Sequence, residues 1–138
     1  VTGIYEHTID AKGRLSIPAK IKEELGDPFY VTLSMDKCLK AYSLAGWGKL
    51  MEKYEAMTTA QKNKIRPLFA HAARCDLDSQ GRVLIPQKLR EFAGLVKDVA
   101  IVGTGDTAEF WDAAEWAAKD AIETTPENIA AVFMELGI

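Results

Sequence analysis

Residues Tyr5-Glu6-His7-Thr8-Ile9-Asp10-Ala11-Lys12-Gly13-Arg14-Leu15-Ser16-Ile17-Pro18 return near the middle of the chain as Cys75-Asp76-Leu77-Asp78-Ser79-Gln80-Gly81-Arg82-Val83-Leu84-Ile85-Pro86. At a constant offset of 68, Asp10, Gly13, Arg14, Ile17, Pro18, Lys20, Glu23 and Gly26 meet identical residues, eight identities in the eighteen positions from 9 to 26. The mismatches are mostly like for like, such as Leu15 with Val83 or Ile21 with Leu89. The chain is a duplication, and each copy can be read in the same physical terms.

Apolar residues before the Asp and after the Arg alternate, which predicts two short strands around a tight turn. Asp bonds backbone N–H groups ahead of it, and Gly supplies the positive φ that such a turn needs. Arg14 and Arg82 therefore project from stiff turns. Pro18 and Pro86 suit the first turn of a helix, where a missing N–H costs little, and Gly26 and Gly94 suit the residue past its end. That short helix has one apolar side, built from Ile21 and Leu25 in the first copy and Leu89, Phe92 and Ala93 in the second. One repeat is too small to bury its own face, so the two halves are expected to complete one core together.

Further along, Phe29–Leu33 and Leu39–Tyr42 read as a second strand pair around a turn at Asp36-Lys37, answered by 99–102 and 108–111 around Gly103-Thr104-Gly105-Asp106. Here the offset slips to 69, which sets Trp111 opposite Tyr42 and Trp116 opposite Trp47. Helical spacing predicts helices over about 44–57 and 60–72, the second holding Pro67, then one from Trp116 through Glu123. A last helix carries Ile129, Val132, Phe133 and Leu136, with Thr125 as N-cap and Pro126 at its first position. Aromatic residues on these faces are read as core or subunit contact. The expected division is a first repeat with its following helix over 1–57, a connecting helix over 58–73, and a second repeat with C-terminal helices over 74–138.

The chain has 138 residues, 48% of them hydrophobic, enough for one domain. No apolar run approaches membrane-spanning length and no signal-peptide pattern opens the sequence, so a cytoplasmic protein is expected. Cys38 and Cys75 stand apart with no metal-ligand spacing and read as reduced core thiols. The net charge of −3 conceals an asymmetry: residues 1–70 hold eleven Lys and Arg against eight Asp and Glu, while residues 71–138 hold six against twelve. A basic first half can face a polyanion if the acidic half turns away.

Arg14 is the leading functional residue, with Lys12 and Lys20 beside it. A guanidinium on a tight turn can fork onto a phosphate or onto the O6/N7 edge of guanine. Asp10 would fix the Arg rotamer and Gly13 would shape the loop; alternatively Asp and Arg merely staple the turn. The second copy keeps Asp78, Gly81 and Arg82 but has Gln80 in place of Lys12, so it is read as more structural than ligand-binding. An enzyme is not expected: His7 and His71 lack metal spacing, and no nucleophile signature appears. Gly103-Thr104-Gly105-Asp106 lacks the later glycine and crossover helix of a nucleotide site and reads as a hairpin turn. No cofactor or metal is expected.

The two D-x-x-x-R motifs at Asp10–Arg14 and Asp78–Arg82, each inside a G-R-x-x-I-P context, closely resemble the MraZ family of bacterial transcriptional regulators. The resemblance covers nearly the whole chain. It implies an α+β fold of two tandem AbrB-like swapped-hairpin β half-barrels, forming one pseudo-symmetric domain flanked by helices. It also implies a ring of identical subunits in the cytoplasm and on the nucleoid, binding double-stranded DNA at repeated promoter boxes of the division and cell-wall gene cluster. By position, Asp10 and Arg14 match the first family motif and Asp78 and Arg82 the second. Several loops on one ring would turn weak, salt-sensitive contacts into avid binding. A rival from another class is an AbrB-like protein-interaction module of antitoxin type, which would be expected to carry a disordered extension.

Overall fold

The computed structural model describes all 138 residues, and its strands pair mainly between the repeats. The first repeat contributes β1 (Ile4–Thr8), β2 (Arg14–Ser16), α1 (Ala19–Leu25), β3 (Phe29–Leu33) and β4 (Leu39–Tyr42), followed by α2 (Leu44–Glu55) and α3 (Thr59–Ala70). The second contributes β5 (Ala73–Cys75), β6 (Arg82–Leu84), α4 (Gln87–Ala93), β7 (Asp98–Gly103) and β8 (Thr107–Asp112), then α5 (Ala113–Glu123) and α6 (Pro126–Leu136). These elements make an α+β fold with a six-stranded antiparallel sheet in the order β1-β7-β8-β4-β3-β5 and a separate two-stranded ribbon, β2-β6.

The expected strand–turn–strand of each repeat does not close on itself. β1 pairs with β7 and β5 with β3, so each repeat lends its first strand to the other's later hairpin. β2 pairs with β6 instead of β1, and one bridge between Ile9 and Leu15 is what remains of the local hairpin. The turn at Asp10–Arg14 nevertheless closes locally. Its own hydrogen bonds, Asp10 N–H to the Arg14 carbonyl at 3.0 Å and Gly13 N–H to the Asp10 carbonyl at 3.0 Å, reverse the chain within five residues. The short strand leaving the turn finds its ladder partner in the other copy.

The exchange produces one core from two halves. Leu15, Ile21, Phe29, Leu39, Val83, Ile85, Leu89, Ile101 and Phe110 are all fully or almost fully buried and belong to one cluster. Burying a side chain of this size stabilises by roughly 1.5–3 kcal/mol before entropy is counted. Phe92 departs from its expected place: α4 buries Leu89 and Ala93, one turn apart, and leaves Phe92 on the flank, 37% exposed. Pro18 and Pro86 also stand one position earlier than expected, at the N-caps of α1 and α4, with ψ of 142° and 149°. An extended ψ at the cap lets the fixed φ of proline lead the chain in without entering the helix.

The helical hairpins follow the expected pattern. Ser43 caps α2, Thr58 caps α3 in a reciprocal arrangement with Gln61, and Thr125 caps α6 with Pro126 beginning it. Pro67 lies inside α3, which continues through it. The α2–α3 hairpin is fastened to the sheet by aromatic packing. Trp47 stacks on Tyr30 with centroids 4.8 Å apart, and Phe69 lies against both Trp47 and Tyr54. The hydroxyl of Thr32, a buried polar side chain, donates to the Leu68 carbonyl. Cys38 and Cys75 are buried free thiols.

Candidate nucleic-acid interface

Both predicted loops carry the same hydrogen-bonded latch. In the first, one carboxylate oxygen of Asp10 accepts from the N–H groups of Lys12 (3.0 Å) and Arg14 (2.9 Å), and the other accepts from Arg14 Nε at 2.6 Å. In the second, Asp78 accepts from the N–H groups of Gln80 (2.8 Å) and Arg82 (2.9 Å) and from Arg82 Nε at 3.1 Å. The Arg14 N–H leads in holding the Asp10 carboxyl below its ordinary value near 3.8; partial desolvation opposes it, and the Arg14 side chain and Lys12 N–H reinforce it. Asp78 is lowered in the same way, led by the Arg82 N–H. Each carboxylate is therefore ionised at neutral pH and fixes its arginine through Nε alone. The two terminal guanidinium nitrogens, the pair that forks onto a phosphate or a guanine edge, take no partner from the chain.

The ribbon sets where the two arginines stand. Arg14 lies opposite Leu84, Leu15 opposite Val83, and Ser16 opposite Arg82. Side chains alternate across a strand, so the burial of Leu15 and Val83 turns Arg14, Ser16, Arg82 and Leu84 to the outer face. One exposed face thus carries both latched arginines, two ladder positions apart. The loops are tied across it, because Ile17 N–H donates to the Gly81 carbonyl at 3.0 Å and Ile85 N–H to the Gly13 carbonyl at 2.8 Å.

The loops differ in what surrounds them. Lys12 is exposed in the first, beside Arg14. Arg90, from α4 of the second repeat, donates from Nε to the Ile85 carbonyl at 2.9 Å and lies against Gly13 of the first loop. Reading the repeats separately missed Arg90. Its only signal is that it stands at the 68-residue offset from Lys22, and the exchange of β2 and β6 between repeats is what brings α4 to the other loop. Lys20 is not brought to the loop by any contact; it lies exposed on α1, 4.0 Å from Glu24.

Gly13 and Gly81 carry positive φ, 87° and 73°, but only Gly13 is enclosed. A Cβ there would stand 2.7 Å from Arg90 Nε and 2.8 Å from the Ile85 carbonyl oxygen, whereas at Gly81 nothing lies within 4 Å. Both Gly→Ala variants strain the turn, and only Gly13→Ala also overpacks it. Gly13→Ala should therefore be the less stable by about 1–3 kcal/mol in denaturant unfolding. Equal stabilities would mean that the contact with Arg90 and Ile85 yields without cost.

No three His, Cys, Asp or Glu side chains converge as a metal site. No helix is long and apolar enough to cross a membrane.

The chain matches the model of a family described as "MraZ protein, putative antitoxin-like" over residues 1–66 and 68–127. It is 44% identical to the transcriptional regulator MraZ of Acetivibrio thermocellus, covering 99% of this chain and 98% of the relative. Over the same shares it is 41% identical to the MraZ of Halothermothrix orenii and 43% to that of Caldicellulosiruptor bescii. A family match across both repeats, joined to full-length identity of this order, leaves one conclusion: the chain belongs to the MraZ family.

Proposed function

We propose that this protein is a transcriptional regulator that binds double-stranded DNA through the outer face of the β2–β6 ribbon and its two latched loops. The observation that carries the reading is the Asp–Arg latch, which spends Nε on the carboxylate and leaves the terminal guanidinium nitrogens free on an exposed face. A loop built only to staple its own turn has no need to hold that fork outward. Arg14 and Lys12 are the principal contacts, Asp10 and Gly13 shape the loop, and Lys20 contributes from α1 at longer range. Arg82, latched by Asp78 beside Gly81, makes a second and weaker contact. Arg90 adds positive charge behind the first loop.

Relatives named as transcriptional regulators support this reading. The exchange of strands between the repeats supports the tandem swapped-hairpin arrangement, with residues 1–57 and 74–138 as its halves and 58–73 as the connection. The protein works in the cytoplasm, associated with the nucleoid, as a ring acting on repeated boxes upstream of the division and cell-wall gene cluster. A ring raises effective concentration at repeated sites, so a modest contact per loop suffices. No catalysis or cofactor enters this function.

The test is binding to the DNA upstream of the protein's own coding sequence across a salt series. Arg14→Ala should lose roughly 5- to 150-fold per engaged loop, the value of one good base contact, so at least that much in overall specific affinity, and flatten the salt dependence. Arg82→Ala should lose less. Equal losses would give the second loop an equal part; wild-type protein without specific binding would overturn the reading in favour of a protein-interaction module.

A further inference from the structure

The outer face of the ribbon holds one large apolar side chain that arginine chemistry leaves unused. Arg14, Ser16, Arg82 and Leu84 share that face, and Leu84 is 60% exposed among three polar neighbours. A single exposed leucine is ordinary on a protein surface. What distinguishes this one is its place. It stands directly opposite Arg14, whose side chain Asp10 fixes through Nε, while the packing of the ribbon is carried on its other face by buried Leu15 and Val83.

The duplication supplies a second observation. At the offset of 68, Leu84 corresponds to Ser16, and the register sets these two on one diagonal of the face and the two arginines on the other. The arginines are thus repeated across the pseudo-dyad, whereas a hydroxyl in one copy answers an isobutyl group in the other. One end of the ribbon gathers Lys12, Arg14 and Leu84, and the opposite end gathers Gln80, Arg82 and Ser16. The apolar contact therefore belongs to the arginine with the extra cation.

The major groove of DNA, about 12 Å wide, admits a two-stranded ribbon, and there thymine presents an apolar group, its C5 methyl. Opposed residues of an antiparallel pair have Cβ atoms about 4.5–5.5 Å apart, and base pairs follow one another every ~3.4 Å. With the Arg14 fork on a guanine edge, Leu84 reaches the adjoining base pair or the one beyond. A leucine offers no hydrogen bond to the polar edges it would dry, so it favours the one base that shows it a methyl.

We infer that Leu84 is a specificity-determining residue, packing on the C5 methyl of a thymine beside the base that Arg14 takes. This rests on the DNA-binding reading above and adds the groove, the base and the side chain that selects it. The test uses the DNA upstream of the protein's own coding sequence, prepared once with thymine and once with uracil throughout, which removes the methyl and keeps the pairing edge. Wild-type protein should bind the uracil DNA at least roughly fourfold more weakly, the value of one buried methyl-sized group per engaged loop. Leu84→Ala, with folding checked by circular dichroism, should lose affinity for the thymine DNA and bind the two DNAs alike. Leu84→Met, which keeps an apolar tip of similar size, should retain the thymine preference. Equal wild-type binding to both DNAs, or a full uracil penalty remaining in Leu84→Ala, would overturn the assignment. So would a Leu84→Ala loss with no uracil penalty in the wild type, the mark of a wedge between base steps. Wild-type protein with no specific binding to the thymine DNA would instead overturn the DNA-binding reading itself.

Discussion

Leu15→Ala is expected to destabilise the protein by about 2–5 kcal/mol, the range for a fully buried leucine whose site cannot collapse. Leu84→Ala, on the same ribbon, should stay within about 0.5 kcal/mol, as exposed substitutions do. Leu15 is completely buried, stands opposite Val83, and bridges back to Ile9. It therefore joins the ribbon to the sheet and the first repeat to the second. β2 is only three residues long, so the strand has no second anchor of that size. Leu84 lies on the outer face and is 60% exposed. The functional consequence follows from position: Leu15 is the inner neighbour of Arg14, and a loosened ribbon no longer holds the two loops in fixed relation. Urea unfolding gives the two stabilities, and hydrogen exchange at Ile17 and Ile85, whose N–H groups donate across the ribbon to Gly81 and Gly13, reports the ribbon directly. A Leu15→Ala protein as stable as Leu84→Ala would mean that the sheet, without the ribbon, carries the fold.

The duplication, the turns and the element boundaries were legible because each is local. Asp10, Gly13 and Arg14 write their turn within five residues, and Thr125 with Pro126 writes a helix start in two. Strand partnership was not legible in the same way. Periodicity says that Leu15 and Ile17 face one side, but the identical pattern at Val83 and Ile85 makes pairing within a repeat and pairing between repeats look alike. The choice is made by long-range packing: β1 finds β7 and β2 finds β6, and a single bridge remains between the arms of the local turn. The same exchange explains why Arg90 escaped notice, since its approach to Gly13 exists only once α4 packs across the pseudo-symmetry. Phe92 failed for a different reason: an apolar residue on a short helix was counted toward the face, and a seven-residue helix buried two positions there. The side-chain pair of Asp10 with Arg14 was foreseen from residue chemistry. The common exposed face of Arg14 and Arg82 depended on the ribbon register.

The two thiols should make the protein lose stability steeply in alkali. Burial, reinforced by Glu109 and Asp36, pushes the Cys38 thiol up to about 12 from an ordinary value of 9.0. Burial, with a contribution from Asp76, does the same to Cys75. Both are raised in the folded state, so the folded protein keeps protons that the unfolded chain releases. Their contribution to stability is complete below pH 9 and is lost as pH rises from there toward 12. Each thiol should subtract about 1.4 kcal/mol per pH unit in that window, so the pair should remove roughly 5 kcal/mol by two units above its start. Lysines and tyrosines titrate in the same range, and a single curve would not separate them. The decisive comparison is therefore the urea midpoint from pH 8 to 11, under reducing conditions, for the wild type and for Cys38→Ala/Cys75→Ala. The double variant begins less stable, because two small buried side chains are cut back, but its stability should fall less steeply. The two curves should converge as pH rises. Parallel curves would show that the thiols ionise in the folded protein as readily as in the unfolded one, and that their burial is not maintained in solution.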